Sequence, residues 1–468
     1  MRGGATTGDD IAYKSAAELT VLYARRALSP VEAAQALFDR LEALQPKLNA
    51  FCLVDRDGAL AAARAAERRW RDGSPLSTVD GVPATIKDLM LMRGHPTRRG
   101  SHLTENVPDT EDSPAVARLK EAGAVILGKT TTPEFGWIAV GDSPLTGITR
   151  NPWNLERTPG GSSAGAAAAG AAGIGVLNLG SDGAGSIRIP ACFSGVFGIK
   201  PTFGRVPAYP PSPMGLLSHH GPITRSVADA AAMLDTIGRP DPRDPYWLPA
   251  PAGSFLDGIE EGVRGWKIAF SPDLGYAKVD PEIAATVAAA VKRFEELGAH
   301  VEEVGKIFDS PRETLLTLWG AGAARIVAGI PAEKLKQCDP GFVAVAEAGA
   351  KIGAVDYLGA DLVRNALGRT MGAFHETYDL LLTPMMPVPA LPVGEDLNDP
   401  SDEHWVDWSP FSYPFNMTRQ PAASIPCGLT SGGLPIGLQI VGRLHDDAKV
   451  LRAARAFEAT QPVRHPPI

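Results

Sequence analysis

Two hydrophobic rhythms alternate along the chain: runs with apolar residues every three or four positions, and short stretches that are apolar throughout. The first marks helices buried on one face, the second strands buried on both. Ser15-Ala16-Ala17-Glu18 and Ser29-Pro30-Val31-Glu32 each set a serine three residues before a glutamate. In that spacing the two side chains satisfy the first free N–H groups of a helix. Pro30 suits the first helical position, where no N–H is needed. Each box opens an Ala/Leu-rich run, so two surface helices are predicted at the start. A strand is predicted over NAFCLVD (49–55), then a helix over 58–70. Helix 113–122 should pass through Gly123 into the apolar run 124–127, and helix 281–297 through Gly298 into 299–304. YDLLLTP (378–384) and IGLQIVG (436–442) read as buried strands, and a helix over 446–458 closes the chain. Residues 310–375 read as helical and able to form a lobe. This alternation implies an α/β sandwich around a mostly buried sheet. No repeat, low-complexity tract or convincing linker divides it, so one domain over 1–468 is expected.

Residues 158–200 break the pattern, with glycine, serine and alanine dominating TPGGSSAGAAAAGAAGIGVLNLGSDGAGSIRIPACFSGVFGIK. A flexible linker would have this composition, but it would have no use for the strand-like Ile174–Leu179 or for Ile187, Ile189 and Phe193. Glycine-dense backbone inside a packed fold points instead to close approach, or to N–H groups left free to donate.

The net charge of −8 argues against nucleic acid, which needs a basic face. Four dispersed cysteines, Cys52, Cys192, Cys338 and Cys427, form no C-x-x-C pair and read as buried thiols. No run reaches the roughly 18 apolar residues of a membrane span, and a cytoplasmic location is the expectation. A small-molecule substrate is the expected partner, with neither nucleic acid nor membrane.

Within the glycine-rich segment two serines draw chemical interest. Ser186 follows Gly183-Ala184-Gly185, where small residues leave successive N–H groups unobstructed, as an oxyanion hole requires. Ser162 lies in Gly160-Gly161-Ser162-Ser163, just before a run of small helix formers. A serine needs a base to act as a nucleophile. None of the nine histidines lies in a recognisable catalytic frame, and His219-His220 reads as a surface or structural pair in a loop. Lys87 ends the apolar strand of GVPATIKD (81–88), where desolvation would free its lone pair. On its own, a lysine there is as readily a surface residue at a strand end.

Two formal motif matches compete. Gly123 to Thr130 fits the phosphate-binding G-x-x-x-x-G-K-T pattern, but its four middle residues are apolar and read as the strand itself. Gly161-Ser162-Ser163-Ala164-Gly165 fits the G-x-S-x-G elbow, which would make Ser163 the nucleophile of an esterase with a histidine base. That elbow needs a strand before it, and 150–160 is turn-rich. No serine is followed by lysine three places later, so S-x-x-K is absent.

GVPATIKDL (81–89), RTPGGSSAGAAAA (157–169) and GSDGAGSIRIPACFSGVFGIKPT (180–202) together resemble the amidase signature family. Flanking segments 123–137, 143–154 and 415–442 agree, so the likeness runs from about residue 10 to the end, with its core over about 80–205. The resemblance implies a central mixed β-sheet covered by helices on both faces. It implies an amidase that cleaves small aliphatic or aryl carboxamides through an acyl-enzyme. By motif position the nucleophile falls on Ser186. The bridging serine, after a cis peptide, falls on Ser162, and the base on Lys87. Backbone N–H groups of Gly183, Ala184, Gly185 and Ser186 would form the oxyanion hole. Ser163, Asp182 and Arg188 would be structural supports. No metal or organic cofactor is expected, and a homodimer is compatible. The related alternatives are the glutaminase subunit of a tRNA-dependent amidotransferase and an inactive binding scaffold. In the loop, Ser181 replaces the commoner threonine and keeps a hydroxyl, while Ala184 replaces a glycine and would resist a positive φ there.

Overall fold

The computed structural model describes residues 11–394 and 406–468. Both N-terminal capping boxes form. Ser15 caps Ala16–Ala24 with Glu18 returning the bond, and Ser29 caps Pro30–Leu48 with Glu32. Proline also opens the helices Pro114–Glu121, Pro281–Glu296 and Pro340–Gly349, after Ser113, Asp280 and Asp339.

Among the described residues, eleven strands make one mixed sheet: β1 Phe51–Val54, β2 Pro83–Lys87, β3 Val125–Thr130, β4 Leu177–Asp182, β5 Phe197–Lys200, β6 His219–Thr224, β7 Lys267–Phe270, β8 His300–Glu303, β9 Leu380–Pro384, β10 Ala422–Leu429 and β11 Pro435–Gly442. Their order is β1-β3-β2-β4-β6-β5-β10-β11-β9-β7-β8. β2 runs parallel to β3 and β4, whereas β4 pairs antiparallel with β6. Successive side chains of a strand point to opposite faces, and here they enter two separate cores. Ile268, Phe270, Leu380, Leu382 and Ile440 join one; Ala269, Leu381 and Val441 join the other. Helices cover both faces, which is why the strands read as continuous apolar runs.

The glycine-rich segment is packed throughout. Helix Ala164–Ala171 is buried at every position. A Cβ on Gly165 would lie 2.2 Å from Ala50 O and 2.5 Å from Thr131 N, so only small residues allow this approach. The strand expected over 174–179 begins later, at Leu177. Gly173, at φ +69°, ends the helix, and Ile174 packs into the core from the turn. The shift draws Ser181 and Asp182 into β4. His219 and His220, expected in a loop, lie on β6 instead, opposite Asp182 and Ser181. Residues 312–374 fold as four helices, the last being Ala354–Phe374. No helix among the described residues is long and apolar enough to cross a membrane.

Candidate active site

β2 delivers Lys87 to the interior at its C-terminal end, where the side chain is completely buried. Its Nζ lies 2.8 Å from Ser162 Oγ, 3.0 Å from Ser163 Oγ and 3.0 Å from Ser181 Oγ. Burial holds the amine well below the ordinary lysine range, and the carboxylate of Asp182 offsets this only in part. The three hydroxyls come from two directions. Ser162 and Ser163 precede helix Ala164–Ala171, while Ser181 stands on the neighbouring strand β4.

The Gly161–Ser162 peptide is cis. Ser163 N–H donates to Ser186 O at 3.1 Å, seating the two serine-bearing loops against each other. The Ser163 hydroxyl donates to Ser181 O at 3.1 Å and accepts from Ser181 N at 3.2 Å. It is wholly buried, and a turn rather than a strand precedes it. Ser186 retains slight exposure, at 6%. No hydrogen bond joins its Oγ to Ser162 among the described residues; such contacts in a substrate-free enzyme commonly tighten only when substrate binds.

Asp182 organises the loop that carries Ser186. Its carboxylate accepts from Gly185 N at 2.7 Å and Ile187 N at 3.1 Å. Arg188 grips both oxygens at 3.0 Å, and Asn416 Nδ2 adds a bond at 2.8 Å. Burial alone would push this carboxyl up, but Arg188, with Lys200 and Asn416, outweighs it and holds the carboxyl below the usual carboxylate range. Arg188 further donates to Ser412 O, Gln439 Oε1 and Asn416 Oδ1, so the guanidinium has no spare capacity for a substrate.

One expected donor is corrected here. The Gly185 N–H is spent on Asp182. The N–H groups of Gly183, Ala184 and Ser186 have no protein acceptor among the described residues. The positive φ falls on Gly185, at +126°, so alanine at 184 meets no backbone penalty. Ser412 Oγ donates to Ala184 O and fixes that residue.

The wall beside the loop is aromatic and aliphatic. A Cβ on Gly183 would lie 2.9 Å from the ring of Trp319, and Ala184 shares a core with Trp137, Leu217, Leu318 and Phe342. Met214, Leu216 and Leu217 line a cavity of about 580 Å³ with Leu318, Tyr209 and Tyr357. Leu217 O accepts from Asn416 at 3.1 Å, which ties that cavity wall to the brace of the loop. His219 and His220 are both held below the ordinary imidazole range, chiefly by burial. His219 Nδ1 meets Leu217 O at 2.8 Å, a structural contact. Lys129, the lysine of the phosphate-loop match, is buried in β3 against Asp88 at 2.8 Å.

Sequence reasoning missed Asn416, Ser412 and Gln439, which reach the loop from more than 220 residues away. Ser181 carried a signal, the retained hydroxyl, whose partner is Lys87.

The family model for amidases matches residues 32–451. An acylamidase of Rhodococcus erythropolis is 38% identical, over 97% of both chains. One subunit of the glutamyl-tRNA(Gln) amidotransferase of Myxococcus xanthus is 37% identical, over 94% of this chain and 96% of its own. The crystal structure of a bacterial aryl acylamidase of the amidase signature family superposes with a TM-score of 0.89 at 31% identity, over 96% of each chain. This chain therefore belongs to the amidase signature family and is a hydrolase acting on amide C–N bonds.

Proposed function

We propose that this amidase cleaves small aliphatic or aryl carboxamides through an acyl-enzyme on Ser186, with Ser162 and Lys87 as proton relay. The observation that carries the reading is the 2.8 Å contact of Ser162 Oγ with a fully buried Lys87 amine. A neutral amine has two N–H groups and one lone pair. The Ser163 proton is committed to Ser181 O, so Ser163 can only accept from Lys87. Ser162 is then free to give its proton to the lone pair and take one from Ser186.

Ser186 Oγ attacks the amide carbon, and the carbonyl oxygen becomes an oxyanion against the open N–H groups of Gly183, Ala184 and Ser186. Such donors contribute roughly 2.7–4 kcal/mol each to the transition state. As the C–N bond breaks, the relay returns the proton to the departing nitrogen. Water then gives a proton to the same relay, attacks the ester carbon and releases carboxylate and free Ser186. The apolar wall of Trp319, Leu217 and Leu318 favours aryl and alkyl acyl groups over charged ones.

The likeness to a component of the glutamyl-tRNA(Gln) amidotransferase keeps a glutaminase reading as the second choice. Steady turnover of simple amides by the isolated chain separates the two. The cytoplasmic location and the homodimer expected above belong to this reading, and cell fractionation and sedimentation test them. The decisive experiment is intact-mass spectrometry after exposure to a phosphonofluoridate. Wild type and Ser163→Ala should gain the adduct and Ser186→Ala should not. Labelling of Ser186→Ala but not Ser163→Ala would instead establish the Ser163 elbow.

A further inference from the structure

A second cavity, of about 540 Å³, opens at the far end of the strands from the catalytic groups. Strand β6 relates the two. His219, at its start, pairs with Asp182 beside the Ser186 loop, whereas Thr224, at its end, pairs with Phe197 in the cavity wall. The strand's six residues set the sites about 17 Å apart. The chain after Glu458 closes one side of the cavity, held by Gln461 Nε2 on Pro426 O at 2.8 Å and by His465 stacked on Tyr13 at 3.8 Å. The charge around this cavity is lopsided. Glu458 supplies the one carboxylate among the described lining residues, and it is already engaged, by Val227 N and by Arg455 at 2.8 Å each. Three further guanidinium groups, of Arg225, Arg293 and Arg464, line the cavity with no ion-pair partner among the described residues. Arg225 donates to the carbonyls of Lys14, Gly170 and Gly175, and its Nε is buried without an acceptor. Arg293 lies over the face of Phe457 at 5.7 Å and makes no hydrogen bond; its Nη1 too is buried without an acceptor. Buried donors normally have partners, and in a chain of net charge −8 three unpaired cations around one cavity create a local field that attracts an anion.

We propose that this cavity binds an organic carboxylate with an aryl or short alkyl body, anchored on Arg293, with Arg225 and Arg464 adding to the positive field. Arg293 is the anchor because its planar fork of donors is unspent, and that fork matches a carboxylate with two parallel bonds. The size and lining of the cavity decide against a bare inorganic anion. Volumes of about 300–1,000 Å³ suit small organic molecules, and Trp153, Phe197, Ile425 and Leu429 give the wall an apolar stretch that a phosphate would leave wet. Carboxylates are also what amide hydrolysis releases, so the ligand belongs to the chemical class that this enzyme makes. The unpaired cations and the apolar wall carry the inference, which is independent of the catalytic assignment to Ser186.

The test uses para-iodobenzoate on the full chain. Crystals soaked in it should show the anomalous iodine signal in this cavity, against the apolar wall, with the carboxylate on Arg293. In solution, calorimetric titration with the same acid should saturate. Arg293→Gln should weaken that binding at least about tenfold, through loss of the charge-assisted pair. Arg464→Gln, a change at an exposed position that leaves the core untouched, should weaken it by a smaller factor. The alcohol para-iodobenzyl alcohol has the same body without the charge and should bind at least about tenfold more weakly than the acid. Inorganic phosphate at equal concentration should not displace the acid. An iodine signal confined to the catalytic cleft overturns the proposal. So does an affinity that both arginine substitutions leave unchanged, an alcohol that binds as well as the acid, or displacement by phosphate.

Discussion

Replacing Arg188 with methionine tests whether the Asp182 brace holds the Ser186 loop. The side chains of Arg188 and Asp182 are both fully buried, and the guanidinium makes five hydrogen bonds: two to Asp182 and one each to Ser412, Gln439 and Asn416. Methionine fills much of the volume but leaves the carboxylate without its counter-charge. Breaking a buried ion pair from one side typically costs about 3–5 kcal/mol. Asp182 keeps Gly185 N–H, Ile187 N–H and Asn416, so the cost should fall near 3 kcal/mol at pH 7. The pH dependence follows from the sign of the shift. In wild type Asp182 lies below its ordinary value, so its contribution is present above the unfolded carboxyl range and is lost only as pH falls through the depressed value. In the variant, burial loses its main opponent, so the carboxyl rises from its wild-type position. The destabilisation is then full at neutral pH and is relieved as acid protonates Asp182. Urea unfolding at pH 7 and pH 5 should show a smaller gap between variant and wild type at the lower pH. Adding Asp182→Asn to Arg188→Met should recover part of the loss, since no uncompensated charge remains. An Arg188→Met protein with the wild-type urea midpoint, or a gap that does not narrow in acid, would refute the reasoning.

Further outcomes bear on the chemistry. Lys87→Met should lower the acylation rate by about 10²–10⁴-fold, the usual contribution of a general base, with the fold intact by circular dichroism. In wild type kcat/KM should rise with pH along a limb lying below the ordinary lysine range, because burial favours the neutral amine; an unshifted limb near 10.4 would remove Lys87 as base. Gly185→Ala combines a φ of +126° with a Cβ 2.6 Å from Ser412 Cβ, so phosphonofluoridate labelling should slow sharply while Ser186 remains present. Trp319→Ala should raise the preference for bulky over small acyl groups in paired kcat/KM measurements; an unchanged ratio would place the acyl group elsewhere.

Much of this protein is written locally. Ser15/Glu18 and Ser29/Glu32 cap helices from within four residues, so the sequence alone determined where those helices start. The apolar runs ending at Lys87 and over 436–442 identified buried strands because only a sheet covered on both faces tolerates such runs. The motif positions of Lys87, Ser162 and Ser186 were likewise legible in the chain itself. Tertiary structure decided what those groups meet. Ser181 reaches Lys87 only because β4 pairs with β2, across more than ninety residues of chain. Gly185 lost its place among the open donors because Asp182, drawn into the end of β4, turns back on the loop. Asn416, Ser412 and Gln439 brace that loop from the far end of the sequence, and no local pattern marks them. Periodicity reports how a residue faces its own element, whereas hydrogen-bond partners across a sheet depend on strand order, which is settled only when the whole core closes.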